Sequence, residues 1–377
     1  MTVRYFNADA SGDGSGDSEA NGYTDLQTAF TATAGGDTLW LKNGSSRYGS
    51  SDTIISWSPA QSNNRSRIEG YGTTPGDGVL FQTSTRFSCA SVNADWSYLD
   101  VHNVKVAWAY AISLSGGNNV VYRCKAVNDG GYGSAIGLIN STLIECDLRA
   151  KMLHININVF YMNRCDAVGN YFESKSTGSD SLANNLVPVQ SGHRSQCFVN
   201  NIIVEKRGAG KGASNGLVYV ADQVASNHTC YGNTIVGVGG SSVVLPEGMP
   251  QGGYGPISIY GNIFYSAGAY GIDNQQGTNS TNLGVFAANN AYGAITSSQV
   301  NNVDNNFLPI TLTANPFVDE TDFVLNTTSG GGALLRGLRG VPDMKNPAIA
   351  ATRLNFPSIG AMQPELGGSA SPIISVF

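Results

Sequence analysis

Short apolar runs, each followed by a cysteine or an asparagine, recur along the central part of the chain. Segments such as VVYRCKAVNDG, MNRCDAVGNYF and HTCYGNTIVG each combine a short apolar stretch with a cysteine and a following asparagine. Short runs bounded by turn residues predict strands rather than helices. The motif is constant, but the spacing of its cysteines varies over 22, 19, 32 and 33 residues. We therefore expect solenoid turns that carry loops of different length.

Equivalent residues of successive solenoid turns stack about 4.8 Å apart when the strands are in register. Small, soft cysteines suit a narrow interior, and stacked asparagines can hydrogen-bond along a ladder. The sequence thus predicts one interior line of reduced, structural cysteines, formed by Cys124, Cys146, Cys165, Cys197 and Cys230. It predicts an asparagine line at the following turn, formed by Asn128, Asn170, Asn201, Asn233 and Asn262.

The N-terminal region predicts a cap for the solenoid. Residues Thr24 to Ala34 (TDLQTAFTATA) have the pattern of a short amphipathic helix, with Thr24 and Gln27 as a capping box. Strands are expected over Thr38 to Lys42 and over Thr53 to Trp57. Since an open solenoid end exposes apolar core and strand edges, this helix is expected to cover it. The predicted divisions are a cap over 1–50, coils over 51–310, and a last coil with a C-terminal tail over 311–377.

Composition supports a turn-rich β protein and excludes several classes of partner. The chain has 47 Gly and 36 Asn, and only 13% of its residues are charged, which favours many tight turns over helices. A net charge of -6 gives no reason to bind nucleic acid. No run of about 18 apolar residues predicts a membrane span. The start lacks the basic and apolar regions of a secretory signal, so disulfides are not expected.

Both ends of the chain resemble a known superfamily. The opening RYFNADASGDGSGDSEANGYTDLQTAFTATAGGDTLWLKNG and the closing ANPFVDETDFVLNTTSGGGALLRG with IGAMQPE are similar to right-handed parallel β-helix repeat proteins of the pectate-lyase-like superfamily. The resemblance implies an all-β, right-handed parallel β-helix with a short N-terminal capping helix. It does not imply one function, because this fold carries lyases, hydrolases, epimerases, adhesins and viral spikes.

Candidate chemistry is sparse, and the sequence assigns no catalytic, cofactor-binding or metal-binding residue and no cofactor. The polygalacturonase-type signatures are absent, and no dense acidic cluster predicts a Ca²⁺ site. Asp147 and Asp166 each follow a motif cysteine, so we expect them to stack on one face. Stacked carboxylates could share a proton, bind Ca²⁺ or act as acid and base, or they could be solvated turn residues. The candidates on adjacent coils are Asp129, Asp147, Lys151, His154, Asp166 and Glu173.

Two other groups of residues have both a structural and a functional interpretation. The acidic run Asp9, Asp13, Asp17 and Glu19 lacks the order of a Ca²⁺ loop and is interpreted as a solvated turn. The central aromatics could stack sugar rings, fill a partner interface or pack in the core. They are Trp96, Trp108, Tyr110, Tyr132, Tyr161, Tyr171 and Tyr219.

The leading functional hypothesis is a non-enzymatic virion structural protein of a tailed bacteriophage, such as a spike, fibre or capsid decoration protein. It would form a homotrimer, contact other virion proteins, and present a surface for cell-surface polysaccharide. The apolar tail Ser369 to Phe377 would suit docking onto a neighbour. The location would be the virion, assembled in the host cytoplasm, or otherwise the extracellular space. The alternatives are a polysaccharide lyase or glycoside hydrolase of the same superfamily, and a bacterial surface adhesin.

Overall fold

The computed structural model describes most of the chain. The described residues are 1–44, 53–59, 65–90, 93–103, 110–115, 118–129, 135–139, 141–152, 160–163, 165–176, 187–191, 196–205, 218–222, 228–237, 243–245, 257–266, 270–274, 285–295, 298–301, 303, 306–319 and 323–335.

The described residues form short strands and two short helices. In chain order these are β1 (Val3–Phe6), α1 (Leu26–Ala32), β2 (Thr38–Lys42), β3 (Ile54–Trp57), β4 (Ser66–Tyr71), β5 (Phe81–Thr83), β6 (Arg86–Ala90), β7 (Ala94–Ser97), β8 (Leu99–Asn103), β9 (Ile112–Ser115), β10 (Asn119–Tyr122), β11 (Lys125–Asn128), β12 (Ile136–Ile139), β13 (Ser141–Ile144), β14 (Asp147–Met152), β15 (Phe160–Asn163), β16 (Asp166–Val168), β17 (Tyr171–Ser176), β18 (Val187–Ser191), β19 (Gln196–Val199), β20 (Ile202–Glu205), β21 (Val218–Asp222), β22 (His228–Tyr231), β23 (Thr234–Val236), β24 (Val243–Leu245), β25 (Ile257–Tyr260), β26 (Ile263–Tyr265), β27 (Tyr270–Asn274), β28 (Val285–Ala288), β29 (Ala291–Gly293), β30 (Ser298–Asn301), β31 (Asn306–Phe307), β32 (Ile310–Leu312) and α2 (Gly332–Leu335).

The strands build three long parallel sheets that wind around one core. Sheet I has 12 strands in the order β1-β2-β4-β7-β10-β13-β16-β19-β22-β25-β28-β31. Sheet II has 10 strands in the order β32-β29-β26-β23-β20-β17-β14-β11-β8-β5, and sheet III has 10 in the order β3-β6-β9-β12-β15-β18-β21-β24-β27-β30. From β4 onward the chain visits the three sheets in turn, so every third strand is a neighbour. This is a parallel β-helix, as predicted from the sequence.

Alternation along each strand separates the core from the outer faces. In sheet II the inward row contains Val101, Ala126, Leu148 and Phe172, which pair in register and are all fully buried. Phe172 stacks on Phe198 of sheet I at 5.7 Å between ring centroids. The residues on either side of this row therefore point outward, where they can meet a ligand.

Helix α1 covers the N-terminal end of the core, but its cap differs from the predicted one. Asp25, not Thr24, is the N-cap, and its side chain accepts a hydrogen bond of 2.7 Å from the Thr28 N–H. Gln27 does not close a capping box, because its side chain bonds the Ser56 main chain at 3.2 Å. The fully buried Phe30 packs edge-on against Trp57 at 5.6 Å, so the helix seals the coil as expected.

A tight turn between sheets I and II carries a continuous side-chain ladder. Its first residue has positive φ, for example 53° at Glu145 and 67° at Gly169. The next residue points inward. Its side chain accepts a hydrogen bond from the backbone N–H of the equivalent residue in the preceding solenoid turn. For example, Oδ1 of Asn201 accepts from the Asn170 N–H at 2.9 Å. The ladder consists of Cys124, Cys146, Asn170, Asn201, Asn233, Asn262 and Asn290.

This ladder corrects the predicted register, in which cysteines and asparagines formed two separate lines. Cys124 and Cys146 occupy the same turn position as the asparagines, whereas Cys165 lies before β16 of sheet I. Cys197 pairs with Thr229 and Cys230 pairs with Phe198, so these two cysteines lie on alternate positions of neighbouring strands. Asn128, predicted in the ladder, ends β11 inside sheet II. Its four relatives Asn170, Asn201, Asn233 and Asn262 are placed as predicted. Five described cysteines are buried and form no disulfide, namely Cys89, Cys124, Cys146, Cys165 and Cys230.

After β32 the chain folds back over the outer face of sheet II. Phe317 forms an antiparallel bridge with Leu325 and packs against Phe323 at 5.2 Å. Its ring also meets Tyr265 of β26 at 5.8 Å. These contacts build a second hydrophobic cluster outside the coil, which ends at the buried Leu335 of α2.

Candidate functional site

The outer face of sheet II between β8 and β17 is rich in ionisable side chains. One outward row runs Asp100, Lys125, Asp147 and Tyr171 across four neighbouring strands, and the next contains His102, Arg149 and Glu173. We call these seven residues, together with Asp129 after β11, the charged patch. Strand pairing spaces members of one row about 4.8 Å apart, so the patch is a compact group.

Asp147 and Arg149 form an ion pair at the centre of the charged patch. Nε and Nη2 of Arg149 each donate to one carboxylate oxygen of Asp147 at 2.8 Å. The guanidinium also lies over the Tyr171 ring, 5.2 Å from its centroid. Burial raises the pKa of Asp147, although Arg149 and Lys125 act in the opposite direction. The hydrogen bond to Asp147 is the largest cause of a raised pKa at Arg149, which stays cationic.

Tyr171 and Glu173 form a second buried pair beside it. The Tyr171 hydroxyl donates to Oε2 of Glu173 at 2.6 Å. Burial, reinforced by Glu173, raises the pKa of Tyr171, so the hydroxyl keeps its proton and remains a donor. Only 1% of Asp147, 1% of Tyr171 and 4% of Glu173 is exposed. The carboxylates of the central pairs are therefore engaged within the fold and hidden from solvent.

The solvent-facing side chains of the charged patch include two cations, Lys125 and Arg149, together with His102 and Asp129. Arg149 is 38% exposed, while its partner Asp147 is 2% exposed at the side chain. His102 is 29% exposed and its Nε2 lies 2.7 Å from Oδ2 of Asp129, the accessible carboxylate of the patch. Lys125 of β11 is half-buried and lies between Asp100 of β8 and Asp147 of β14. An anionic ligand at this face would meet Lys125, Arg149 and His102 before it met the buried acids.

The structure brings together only part of the predicted candidate set. Asp147 and Glu173 lie in the charged patch and Asp129 lies at its edge, but Asp166 opens β16 of sheet I opposite Thr142. The expected stack of Asp147 on Asp166 is therefore wrong. The reason is that Cys146 occupies the ladder turn and precedes a sheet II strand, whereas Cys165 precedes a sheet I strand.

Two further candidates have side chains outside the described residues, and some residues of the charged patch were not among the predicted candidates. Lys151 of β14 pairs with Lys175 of β17, and its side chain lies outside the described residues, as does all of His154. The sequence singled out Tyr171 as one of the central aromatics that could stack sugar rings, but it did not single out Lys125 or Arg149. The signal was available, because residues two apart in a strand share a face, as Asp147 and Arg149 do.

The aromatic residues are divided between core and surface. Trp96 is 1% exposed and packs against Phe30 and Trp57, so it is a core residue. The Tyr110 ring lies against Gly137 of sheet III. A Cβ atom added at Gly137 would come within 2.9 Å of that ring. Trp108 and Tyr132, and the side chains of Tyr161 and Tyr219, lie outside the described residues.

Residues of the acidic N-terminal run are paired within the fold, both locally and with distant residues. Glu19 contacts Lys42 and accepts from the Tyr71 hydroxyl, while Asp17 accepts from the Asn21 side chain. Among the described residues, no group of three or more His, Cys, Asp or Glu is arranged to hold a metal ion. None of the helices in the described residues has the combined length and apolar character that a membrane span requires.

Known structures provide a comparison for the fold. The chain superimposes on the pectate lyase Pel9A with a TM-score of 0.51 and 14% identity, over 97% of each chain. An alginate lyase from Paenibacillus aligns over 76% of this chain and 95% of its own, with 11% identity and a TM-score of only 0.31. No family model and no curated protein matches the sequence. The likeness to Pel9A shows that this chain has a pectate-lyase-like parallel β-helix fold.

Proposed function

We propose that the protein binds an acidic polysaccharide along the outer face of sheet II and cleaves it by β-elimination. The observation that carries this proposal is the arrangement of the charged patch. Accessible cations lie above buried, paired carboxylates, in a chain whose net charge is -6. Lys125 and Arg149 are the cations that this surface presents, and they would attract the carboxylates of an anionic partner.

The geometry of the sheet suits an extended polymer. A chain lying parallel to the solenoid axis would cross one strand about every 4.8 Å, so successive sugar units can meet successive strands. Lys125 and Arg149 lie on neighbouring strands along this path. Their charges would neutralise uronate carboxylates.

Elimination requires a cation at the uronate carboxylate and a base near the adjacent carbon. The base removes the proton at C5, a C4–C5 double bond forms, the C4–O bond breaks, and the departing oxygen takes up a proton. We assign charge neutralisation to Lys125 and Arg149. We assign proton removal to the exposed ring of His102, which its contact with Asp129 orients.

Glycoside hydrolysis fits the described residues less well. It needs two carboxyl groups that face the scissile bond, one as acid and one as base or nucleophile. Asp147 is held by both nitrogens of the Arg149 fork, and Glu173 accepts from Tyr171. Both are almost fully buried, so neither is presented to a substrate. The likeness in fold to a pectate lyase agrees with the choice of elimination.

Turnover of uronate polymers tests this proposal. Polygalacturonate and alginate are incubated with the protein, and the ultraviolet absorbance of unsaturated sugar ends is followed, with dextran as the neutral control. We expect turnover of a uronate polymer, and a loss of about 100-fold or more in kcat/KM for Lys125→Ala. The matched control Arg65→Ala removes an exposed cation paired with Asp95 on sheet I and should leave turnover unchanged. Binding without turnover would overturn the lyase assignment, and absence of both would overturn the whole proposal.

The virion role expected from the sequence receives no support from the fold or the comparisons and stays a prediction. The homotrimer, the virion partners and the virion location likewise stay predictions. Sedimentation of the full chain tests the trimer, and a search for the protein in purified particles tests the location.

A further inference from the structure

The turn between sheets I and II carries a row of side chains that runs alongside the charged patch. Tyr98, Arg123 and Glu145 hold the same position in successive turns, with φ of 56°, 49° and 53°. Each lies two residues before a member of the charged patch, and these members are Asp100, Lys125 and Asp147. Because the strands on both sides of the turn pair in register, the turn residues follow one another at about 4.8 Å, parallel to the patch.

Two ring contacts and an ion pair join these turn residues to Tyr122, the last residue of β10. The guanidinium of Arg123 lies over the Tyr122 ring, 4.9 Å from its centroid. The Tyr98 ring meets the Tyr122 ring edge-on, with 6.0 Å between the centroids. Nε of Arg123 donates to Oε2 of Glu145 at 2.7 Å. We call Tyr98, Tyr122, Arg123 and Glu145 the turn cluster.

The turn cluster can be reached from solvent. The Arg123 side chain is 44% exposed and the Glu145 side chain 14%, while Tyr98 and Tyr122 are half-buried. Burial, reinforced by Glu145, raises the pKa of Tyr122 to about 12, so the Tyr122 hydroxyl keeps its proton. The cluster therefore presents aromatic rings together with N–H and O–H donors and a carboxylate acceptor.

This combination of groups suits a sugar better than a small anion. The C–H groups of a pyranose ring pack on aromatic side chains, and its hydroxyls both donate and accept hydrogen bonds. A guanidinium has five N–H donors, so Arg123 keeps donors for a ligand while its Nε serves Glu145. Since the Glu145 carboxylate balances the charge of Arg123, the pair attracts an isolated anion only weakly.

We propose that the turn cluster is a subsite that binds the hydroxyl-bearing edge of the polysaccharide, while Lys125 and Arg149 hold its carboxylates. This inference rests on the proposed function, which lays the polymer parallel to the solenoid axis on sheet II. A polymer over Lys125 and Asp147 has Arg149 on one flank and the turn row on the other, because each of these rows is two residues away along the strands. The subsite adds contacts that recognise hydroxyls rather than charge.

Calorimetric titration with an oligogalacturonate at low and at raised salt tests the subsite. The test variant is Arg123→Gly, because the chain itself has Gly169, Gly232 and Gly261 at the same turn position, with φ of 67°, 64° and 65°. The fold therefore accepts glycine there. The matched control Asn289→Gly makes the same backbone change at an exposed turn residue between β28 and β29, remote from the charged patch.

We expect Kd to rise about tenfold for Arg123→Gly and to stay unchanged for Asn289→Gly. Raised salt should weaken binding of every form, but the ratio of the Kd of Arg123→Gly to that of the unsubstituted protein should persist. The reason is that salt screens hydrogen bonds to hydroxyls much less than it screens attraction between charges. The corresponding ratio for Lys125→Gln should shrink.

The outcomes separate this subsite from the proposed function. Unchanged binding of Arg123→Gly, with weaker binding of Lys125→Gln, would overturn the subsite alone. An equal rise in Kd for Asn289→Gly, or a ratio that disappears at raised salt, would also overturn it. Weaker binding of Arg123→Gly with unchanged binding of Lys125→Gln would support the subsite and contradict the charged patch. If the unsubstituted protein does not bind, both proposals are wrong.

Discussion

At the scale of single residues, a thiol replaces a carboxamide in the ladder. Sγ of Cys146 accepts from the Cys124 N–H at 3.4 Å and contacts the Val121 carbonyl at 3.5 Å. Asn170 serves the same two purposes in the next turn, donating to the Leu143 carbonyl at 3.0 Å. Cysteine and asparagine therefore occupy the same position of the ladder, which needs a small side chain that both accepts and donates a hydrogen bond.

Replacing Cys146 by asparagine should stabilise the protein. The carboxamide would make stronger bonds to Cys124, Val121 and Asn170 than a thiol does, and the expected gain is about 1 kcal/mol in the free energy of unfolding. Cys230→Asn is the contrasting variant, because burial raises the pKa of that thiol to about 12 and its position is outside the ladder. It should lose about 2 kcal/mol. Urea unfolding measures both, and equal losses would contradict the ladder assignment.

Removing one ladder asparagine should be costly. Asn201 accepts from the N–H and the side chain of Asn170, and it donates to Asn233 and to the Ala167 carbonyl. Asn201→Ala leaves these buried groups unpaired, so we expect a loss of about 3 kcal/mol or more. The exposed Asn118→Ala is the control and should change the unfolding free energy by less than about 0.5 kcal/mol. A similar small loss for both would show that the ladder contributes little.

At the scale of elements, the sequence predicts strands better than it predicts their register. Strand β2 has the expected bounds, β3 begins one residue later than expected, and α1 buries Ala29 and Phe30 as its pattern indicates. The capping box failed because Gln27 bonds β3, a contact that local pattern does not contain. The predicted cysteine line is wrong because the spacing between motifs varies, so the sequence does not show which sheet each motif enters.

Asp77, in the turn between β4 and β5, should make the free energy of unfolding depend on pH. Burial opposes ionisation of Asp77, but four backbone N–H groups outweigh it and lower its pKa to about 2. A depressed folded-state pKa adds stability above the unfolded value of 3.8, which is lost as the pH falls towards 2. Asp77→Asn should therefore lose about 1 kcal/mol at pH 7 and almost nothing near pH 2. Unfolding curves across this pH range measure the difference, which should not be constant.

At the scale of the whole molecule, the outer face of sheet II has two halves. Strands β8 to β17 present charged side chains, whereas β20 to β32 present apolar ones. Sequence reasoning selected Asp147 and Glu173, which the register brings close, but it also selected Asp166 on another sheet. The cationic residues were missed because their shared face depends on how strands pair across coils, which spacing along the chain does not determine.

Calorimetric titration with an oligogalacturonate tests the central claim that the charged patch binds acidic polysaccharide. The unsubstituted protein is compared with Lys125→Gln on sheet II and with the matched Arg65→Gln, a residue that directly precedes β4 and pairs with Asp95 of sheet I. We predict binding that weakens as salt is raised, an increase of about tenfold in Kd for Lys125→Gln, and no change for Arg65→Gln. Equal affinities for the two variants, or an affinity that does not respond to salt, would contradict this account.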